Sequence, residues 1–206
     1  MVELDEEVVN ASREYIPSIA GTAFESPRLD LRFEDGINYI KTCKEKFDLI
    51  VLDLTDPIGP SAALYTKEFY SAVNKVLNPK GALALHIESP VSRPEIFSGI
   101  YWTLKSVFKH VTPMLNHVPL YGTLWGFAIA SQELDPSACT KGQVRDRLTR
   151  FAMTDIKLYD EKTHFTLQTI PKYIQEILDK KKKPYTKRNA PHVEGDLDTN
   201  LRIAKV

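Results

Sequence analysis

The sequence predicts an α/β protein built on a doubly wound, mostly parallel sheet, and three observations carry that prediction. Strand-like and helix-like stretches alternate along most of the chain, the pattern of strand–helix–strand crossovers. Phe47-Asp48-Leu49-Ile50-Val51-Leu52 is a near-continuous aliphatic run, as expected of a strand buried on both faces of a parallel sheet. Acidic residues recur where these strands end, and in open α/β sheets ligands bind beyond the carboxyl ends of strands.

Taken in order, Val2-Glu3-Leu4 reads as the last residues of a strand, and Asp5 caps a helix whose Val8, Ala11 and Tyr15 share one face. Ser26-Pro27 breaks the chain, and the alternation of Leu29, Leu31 and Phe33 marks a second strand ending in Glu34-Asp35-Gly36. A short helix through Ile37 and Ile40 leads to the strand at Phe47. Asp53 and Asp56 follow that strand, Pro57, Gly59 and Pro60 punctuate a loop, and Thr66 caps a helix with Phe69, Val73, Val76 and Leu77 at helical spacing. Asn78-Pro79-Lys80-Gly81 is a turn signal before a buried strand from Ala82 to Ile87, with His86 and Glu88 near its end. Pro94 opens a helix carrying Ile96, Ile100, Leu104 and Val107. The β-rich runs His110 to Val118 and Thr123 to Ser131 are separated only by Pro119-Leu120-Tyr121-Gly122, which predicts an antiparallel hairpin at the sheet edge. A charged helix is expected from Asp135-Pro136 to about Phe151, and Pro171 starts a final helix with Tyr173, Ile174, Ile177 and Leu178 on one face. The expected domain covers residues 1–183, followed by a polar, mobile tail over 184–206.

Composition narrows the function classes. A chain of 206 residues has enough length for one domain with a substantial core. Basic and acidic residues balance at 27 each, so nothing global points to nucleic acid or an acidic surface as partner. Cys43 and Cys139 lie far apart without metal-ligand spacing, and no metal site is expected. No apolar run reaches the roughly 18 residues of a membrane span, and a cytoplasmic protein is the expectation. The basic run Lys180 to Lys183 reads as a solvated helix end.

Glu3, Asp35, Asp53 with Asp56, and Glu88 terminate successive strands and are expected to face one crevice, which suits a cation. An acid at the end of the second strand of a dinucleotide-type fold binds ribose hydroxyls, which gives Glu3 a nucleoside role; the alternative is plain surface charge. Asp35 is placed to accept a hydrogen bond from the exocyclic amine of a purine, because an ionised carboxylate only accepts; the alternative is a helix cap.

At this point the residues resemble a known family, the polyamine aminopropyltransferases, which include spermidine synthase. The match runs from Val2 to about Leu178: V-E-L-D at Val2 to Asp5, S-P-R at Ser26 to Arg28, E-D-G at Glu34 to Gly36, D-L-T-D-P-I-G-P at Asp53 to Pro60, and L-Y-T-K-E-F-Y at Leu64 to Tyr70. It continues with H-I-E-S-P at His86 to Pro90, P-L-Y at Pro119 to Tyr121, and W-G-F-A-I-A-S at Trp125 to Ser131. The resemblance implies a Rossmann-like, methyltransferase-type sheet. It also implies transfer of an aminopropyl group from decarboxylated S-adenosylmethionine, a co-substrate, to a diamine or polyamine, with release of methylthioadenosine. Carried onto this chain, Glu3 holds the donor ribose and Asp35 its adenine amine. Asp53 takes the proton of the attacking ammonium, Asp56 binds substrate amines, and Tyr121 orients the attacking nitrogen. No metal or redox cofactor is implied, and the full-length form is expected to be a homo-oligomer.

Two departures qualify the resemblance. His86 stands where the family usually has a glutamine that contacts the polyamine, and it either tunes acceptor preference or serves as a core histidine. The glycine-rich G-G-G-D-G-G turn, the first strand before it, and the N-terminal β-rich domain are absent. Two inner strand edges are therefore expected to be unpaired, between the strand ending at Glu3 and the strand at Phe47. The chain is expected to be a fragment, inactive alone. The competing classes are an S-adenosylmethionine-dependent methyltransferase, against which the Asp53 to Pro60 loop argues, and a non-catalytic interaction subunit that completes its sheet by pairing with another chain.

Overall fold

A computed structural model describes residues 1–153 and 155–193. The chain divides into two compact units, the first Met1–Glu45 and the second from Lys46 onward.

In the first unit, β1 (Val2–Glu3) pairs in parallel with β2 (Arg32–Phe33), Val2 opposite Arg32 and Glu3 opposite Phe33. Between them run α1 (Glu6–Tyr15) and the short α2 (Pro17–Ala20), and α3 (Gly36–Thr42) follows β2. Asp5 caps α1 through the Glu7 amide and Asp35 caps α3 through the Ile37 amide, as short acidic side chains before a first turn do. Val9 and Ile40 are buried, whereas Val8 and Tyr15 of the expected inner face of α1 are exposed. Periodicity finds an apolar stripe but does not say what covers it, and within the first unit this one stays exposed.

The second unit is built on a mixed four-stranded sheet in the order β3-β4-β6-β5. These strands are β3 (Phe47–Leu52), β4 (Leu77–His86), β5 (His110–Val118) and β6 (Thr123–Ser131). β3 and β4 are parallel and connected by α4 (Lys67–Val76), with Leu52 opposite Leu85, so both strands end at the same side of the sheet. β6 pairs antiparallel with β4 and with β5, placing the expected hairpin at the edge with β5 outermost. The turn signal at Asn78 to Gly81 falls inside β4 as an irregularity: Phe47 faces Leu77 but Leu49 faces Ala82. Gly81 is needed there, because a Cβ would come 2.7 Å from the Phe47 carbonyl oxygen.

The core lies on the side of the sheet covered by α4 and α5 (Pro94–Lys105), where Tyr65, Tyr70, Val73, Leu83, Phe97, Ile100 and Leu104 are fully buried. β3 differs from the expectation of burial on both faces, since Leu49 is 58% and Val51 62% exposed. Its outward side chains alternate as on a one-sided strand, and β4 is its strand partner among the described residues. Beyond β6 come α6 (Lys141–Arg150), α7 (Thr163–Leu167) and α8 (Lys172–Leu178), the last fixed to α5 by the Trp102 indole donating to the Leu178 carbonyl at 2.9 Å.

The tail expected from Pro184 is held as far as it is described. The Tyr185 amide donates to Thr103 Oγ1 and its carbonyl accepts from the Lys67 amide, each at 2.8 Å, and Val193 is buried with its amide on the Pro57 carbonyl. The remainder of that expectation, from 194 on, lies outside the described residues.

Candidate active site

The second unit gathers its acidic and aromatic side chains where β3 and β4 end. Asp53 follows β3 directly and is exposed. The loop after it is pinned from below: the Tyr65 hydroxyl donates to the Thr55 carbonyl at 2.7 Å, and His86 Nε2 lies 2.9 Å from the Leu54 carbonyl. Ser61 Oγ donates to the Asp56 carbonyl at 2.6 Å, closing the turn that Gly59 enters at φ 57°. The backbone from Leu54 to Asp56 is therefore fixed by one side chain at the end of β4 and two from the helical turn Gly59–Tyr65.

His86 ends β4. A carbonyl only accepts, so Nε2 carries the proton and donates to Leu54, with the Tyr65 oxygen also 2.9 Å away. In the neutral ring Nδ1 is then a bare acceptor, and that atom is buried with no hydrogen-bond partner among the described residues. Burial pushes the His86 pKa below the ordinary histidine value. Rings stand in a row beside it, Tyr65 to His86 at 5.9 Å, His86 to Trp125 at 6.0 Å and Trp125 to Tyr121 at 4.6 Å between centroids. The hairpin thus brings Tyr121, itself 55% exposed, to the same end of the sheet as His86.

Glu88 lies two residues past β4 in a left-handed conformation at φ 72°, and its side chain is completely buried. Its Oε2 accepts from Arg93 Nη1 at 3.1 Å, and the same nitrogen donates to Asp56 Oδ2 at 2.7 Å. Glu88 Oε1 has no hydrogen-bond partner among the described residues. Burial, followed by the charge of Asp56, pushes the Glu88 carboxyl above the usual carboxylate range. Burial and the facing carboxylates of Glu88, Asp56 and Asp53 likewise push the Tyr65 hydroxyl up, so it stays a neutral donor.

In the first unit, Glu3 and Asp35 stand at the ends of adjacent parallel strands. Glu3 Oε1 accepts from the amides of Leu4 and Asp5 at 2.7 and 3.1 Å, and Asp35 Oδ1 accepts from Ile37 at 2.8 Å. Each carboxylate keeps a second oxygen. The structure therefore groups Glu3 with Asp35 in one unit, and Asp53, Asp56, His86 and Tyr121 in the other. Arg93, which sequence reading passed over, joins the second group. The available signal was only a basic residue five positions after Glu88, which a solvated surface explains equally well.

These features define a Rossmann-like α/β protein of the methyltransferase type, with a carboxylate-rich, ring-lined site at the strand ends. The chain belongs to the spermine/spermidine synthase domain family, whose description matches residues 1–141. It is 42% identical over 190 residues to a polyamine aminopropyltransferase of Nitrosomonas europaea, covering 92% of this chain and 58% of that relative. It is 40% identical over 191 residues to the polyamine aminopropyltransferase of Sulfurisphaera tokodaii, covering 92% of this chain and 63% of the other. Among solved structures it resembles a spermidine synthase in complex with the transition-state analogue AdoDATO, with TM-score 0.79 and 27% identity over 86% of this chain and 60% of that one. The chain thus spans about three fifths of the length of these proteins.

His86 supplies a pH signature. Its folded-state pKa is depressed, so the unfolded chain binds more protons as pH falls through the ordinary histidine value, and stability drops with it. Glu88 acts with the opposite sign, its raised folded pKa favouring the fold at low pH. His86→Gln removes only the first effect. Urea unfolding at about pH 8 and about pH 5.5 is expected to show the variant losing less stability than the parent over that interval; equal losses would mean His86 is not held neutral.

Proposed function

We propose that this chain is a polyamine aminopropyltransferase of the spermidine synthase kind, using decarboxylated S-adenosylmethionine as donor and a diamine or polyamine as acceptor. The observation that carries the reading is the convergence of Asp56 and the buried Glu88 on a single cationic nitrogen beside the row His86, Trp125, Tyr121. Carboxylates meeting on one cation, at the end of the sheet that also carries these rings, suit an alkylammonium. In the reaction, a free amine nitrogen attacks the propyl carbon next to the sulfonium. The new C–N bond forms as the C–S bond breaks, and methylthioadenosine leaves. Asp53 takes the proton that the acceptor ammonium must lose, Asp56 and the bare Nδ1 of His86 hold acceptor nitrogens, and Tyr121 orients the attacking one. Glu3 holds the donor ribose hydroxyls, and the free oxygen of Asp35 accepts from its adenine amine.

No metal or redox centre enters such a displacement. A cytoplasmic location and a homo-oligomeric full-length form fit the reading, and no helix among the described residues is long and apolar enough to cross a membrane. A second reading, a subunit that completes its sheet on another chain, is favoured by the exposed Leu49 and Val51 of β3.

Titration calorimetry of the 206-residue chain with methylthioadenosine separates the two. Saturable binding is expected, and Asp35→Asn, which retains a capping oxygen for Ile37 but no charge, should weaken it by about tenfold, the loss of one charge-assisted hydrogen bond. No binding, together with a stable dimer in sedimentation, favours the subunit.

A further inference from the structure

The pairing of Arg93 with Asp56 and Glu88 points to a role beyond holding the fold. Its nitrogen Nη1 bonds both carboxylates at 2.7 and 3.1 Å, and a nitrogen bridging these two oxygens has the position and the charge of an ammonium. Glu88 is completely buried and its second oxygen is unpartnered, so removing the cation would strand a desolvated carboxylate. A cation there therefore offsets the burial of the Glu88 charge whenever the site is empty. Yet the pair is reachable: the Arg93 side chain is 34% exposed and that of Asp56 is 32% exposed. The Arg93 backbone is anchored independently of its head, with its amide on the Ser89 carbonyl and its own carbonyl receiving the Phe97 amide, both at 3.0 Å. A long side chain on an anchored backbone, with its head at the solvent boundary, leaves by changing rotamer alone.

We propose that Arg93 is a resident cation of the amine site, which an acceptor ammonium displaces on binding, so that the site exchanges one cation for another. This rests on the reading of the site as a polyamine site. Three carboxylates, Asp53, Asp56 and Glu88, lie within electrostatic reach of Tyr65, and Arg93 is paired with two of them. A polycation entering the site meets the same acceptors with more charge than the guanidinium it replaces. The exchange keeps Glu88 paired throughout and makes Arg93 a determinant of acceptor affinity: the tethered guanidinium competes with every amine that enters.

The test is calorimetric titration of the chain with spermidine, comparing the parent, Arg93→Met and Asp56→Asn. Met keeps an apolar stem and removes the competitor, so Arg93→Met is expected to bind spermidine about tenfold more tightly, and Asp56→Asn to lose binding. Because Arg93→Met leaves Glu88 unpaired in the empty site, a second measurement uses the unsubstituted chain. The side-chain Nη–H resonances of Arg93, whose Nη1 makes both contacts, should move from a slowly exchanging, ion-paired position to that of a free guanidinium as spermidine saturates. Unchanged or weaker binding by a folded Arg93→Met, or a static Arg93 resonance, with binding lost in Asp56→Asn, overturns the resident-cation role and leaves the amine site standing. Binding that survives Asp56→Asn, or is absent from every chain, overturns the amine site and the exchange with it.

Discussion

On the proposed reading, and in a form of the protein that turns over, replacing Asp53 by asparagine is expected to lower aminopropyl transfer by at least about 10²–10⁴, the usual contribution of a positioned general base. An alkylammonium has a pKa of about 10 and no free lone pair at neutral pH, so the proton must leave before or as nitrogen attacks. Asparagine matches the shape of the carboxylate and still offers an oxygen, but it cannot take the proton. Asp53 suits the task by placement: it is exposed at the end of β3, and the next two carbonyls are held by His86 and Tyr65. The side chain therefore extends from a fixed backbone without a hydrogen-bond partner among the described residues. Release of methylthioadenosine in a single turnover, with spermidine binding measured in parallel, checks this. Loss of rate with binding retained assigns the proton to Asp53. An unaltered rate takes it out of the proton's path, and a loss confined to binding makes it an electrostatic anchor instead.

Much of this arrangement was legible in the residues, for identifiable reasons. The strand at Phe47, the hairpin around Tyr121 and the caps at Asp5, Asp35 and Thr66 are local features, each decided by composition within a few residues, and the structure contains all of them. Long-range facts were not legible. That Leu49 and Val51 are uncovered depends on which layers face β3, and an aliphatic run is the same whether its second face is covered or bare. The stripe Val8, Ala11, Tyr15 misled for the same reason. At the site, the acids after the strands announced themselves, but the pairing of Arg93 with Asp56 spans 37 positions of sequence and arises only when α5 begins beside the loop after β3. The tautomer of His86 belongs to the same class, since it is set by a carbonyl 32 positions away.

Truncating Phe97 to alanine is expected to destabilise the chain by about 3–5 kcal/mol, the range for removing a buried aromatic ring. Phe97 is completely buried on α5, one turn after Arg93, and its ring lies against Gly126 of β6 so closely that a Cβ there would come within 2.6 Å of it. Gly126 donates to the Glu88 carbonyl at 2.9 Å and accepts from the Ile87 amide at 2.8 Å. These two bonds hold Glu88 at φ 72°, a conformation that costs a non-glycine residue about 1–3 kcal/mol and persists only where its surroundings impose it. The ring thus backs the strand that aims the buried carboxylate at Arg93. Gly126→Ala adds a methyl that meets both the ring and, at 2.7 Å, the Glu88 carbonyl oxygen. Urea unfolding of the two single variants and the double variant separates these contacts. If the ring sets the limit, Gly126→Ala costs less in the Phe97→Ala background, with a coupling of about 0.5–3 kcal/mol between the sites. If the backbone contact dominates, the penalties add, and the strain at Glu88 is imposed by the strand pairing alone. Spermidine affinity decides what the strain is for: should Phe97→Ala remain folded yet bind the amine more weakly, the left-handed turn at Glu88 holds the carboxylate where the cation needs it.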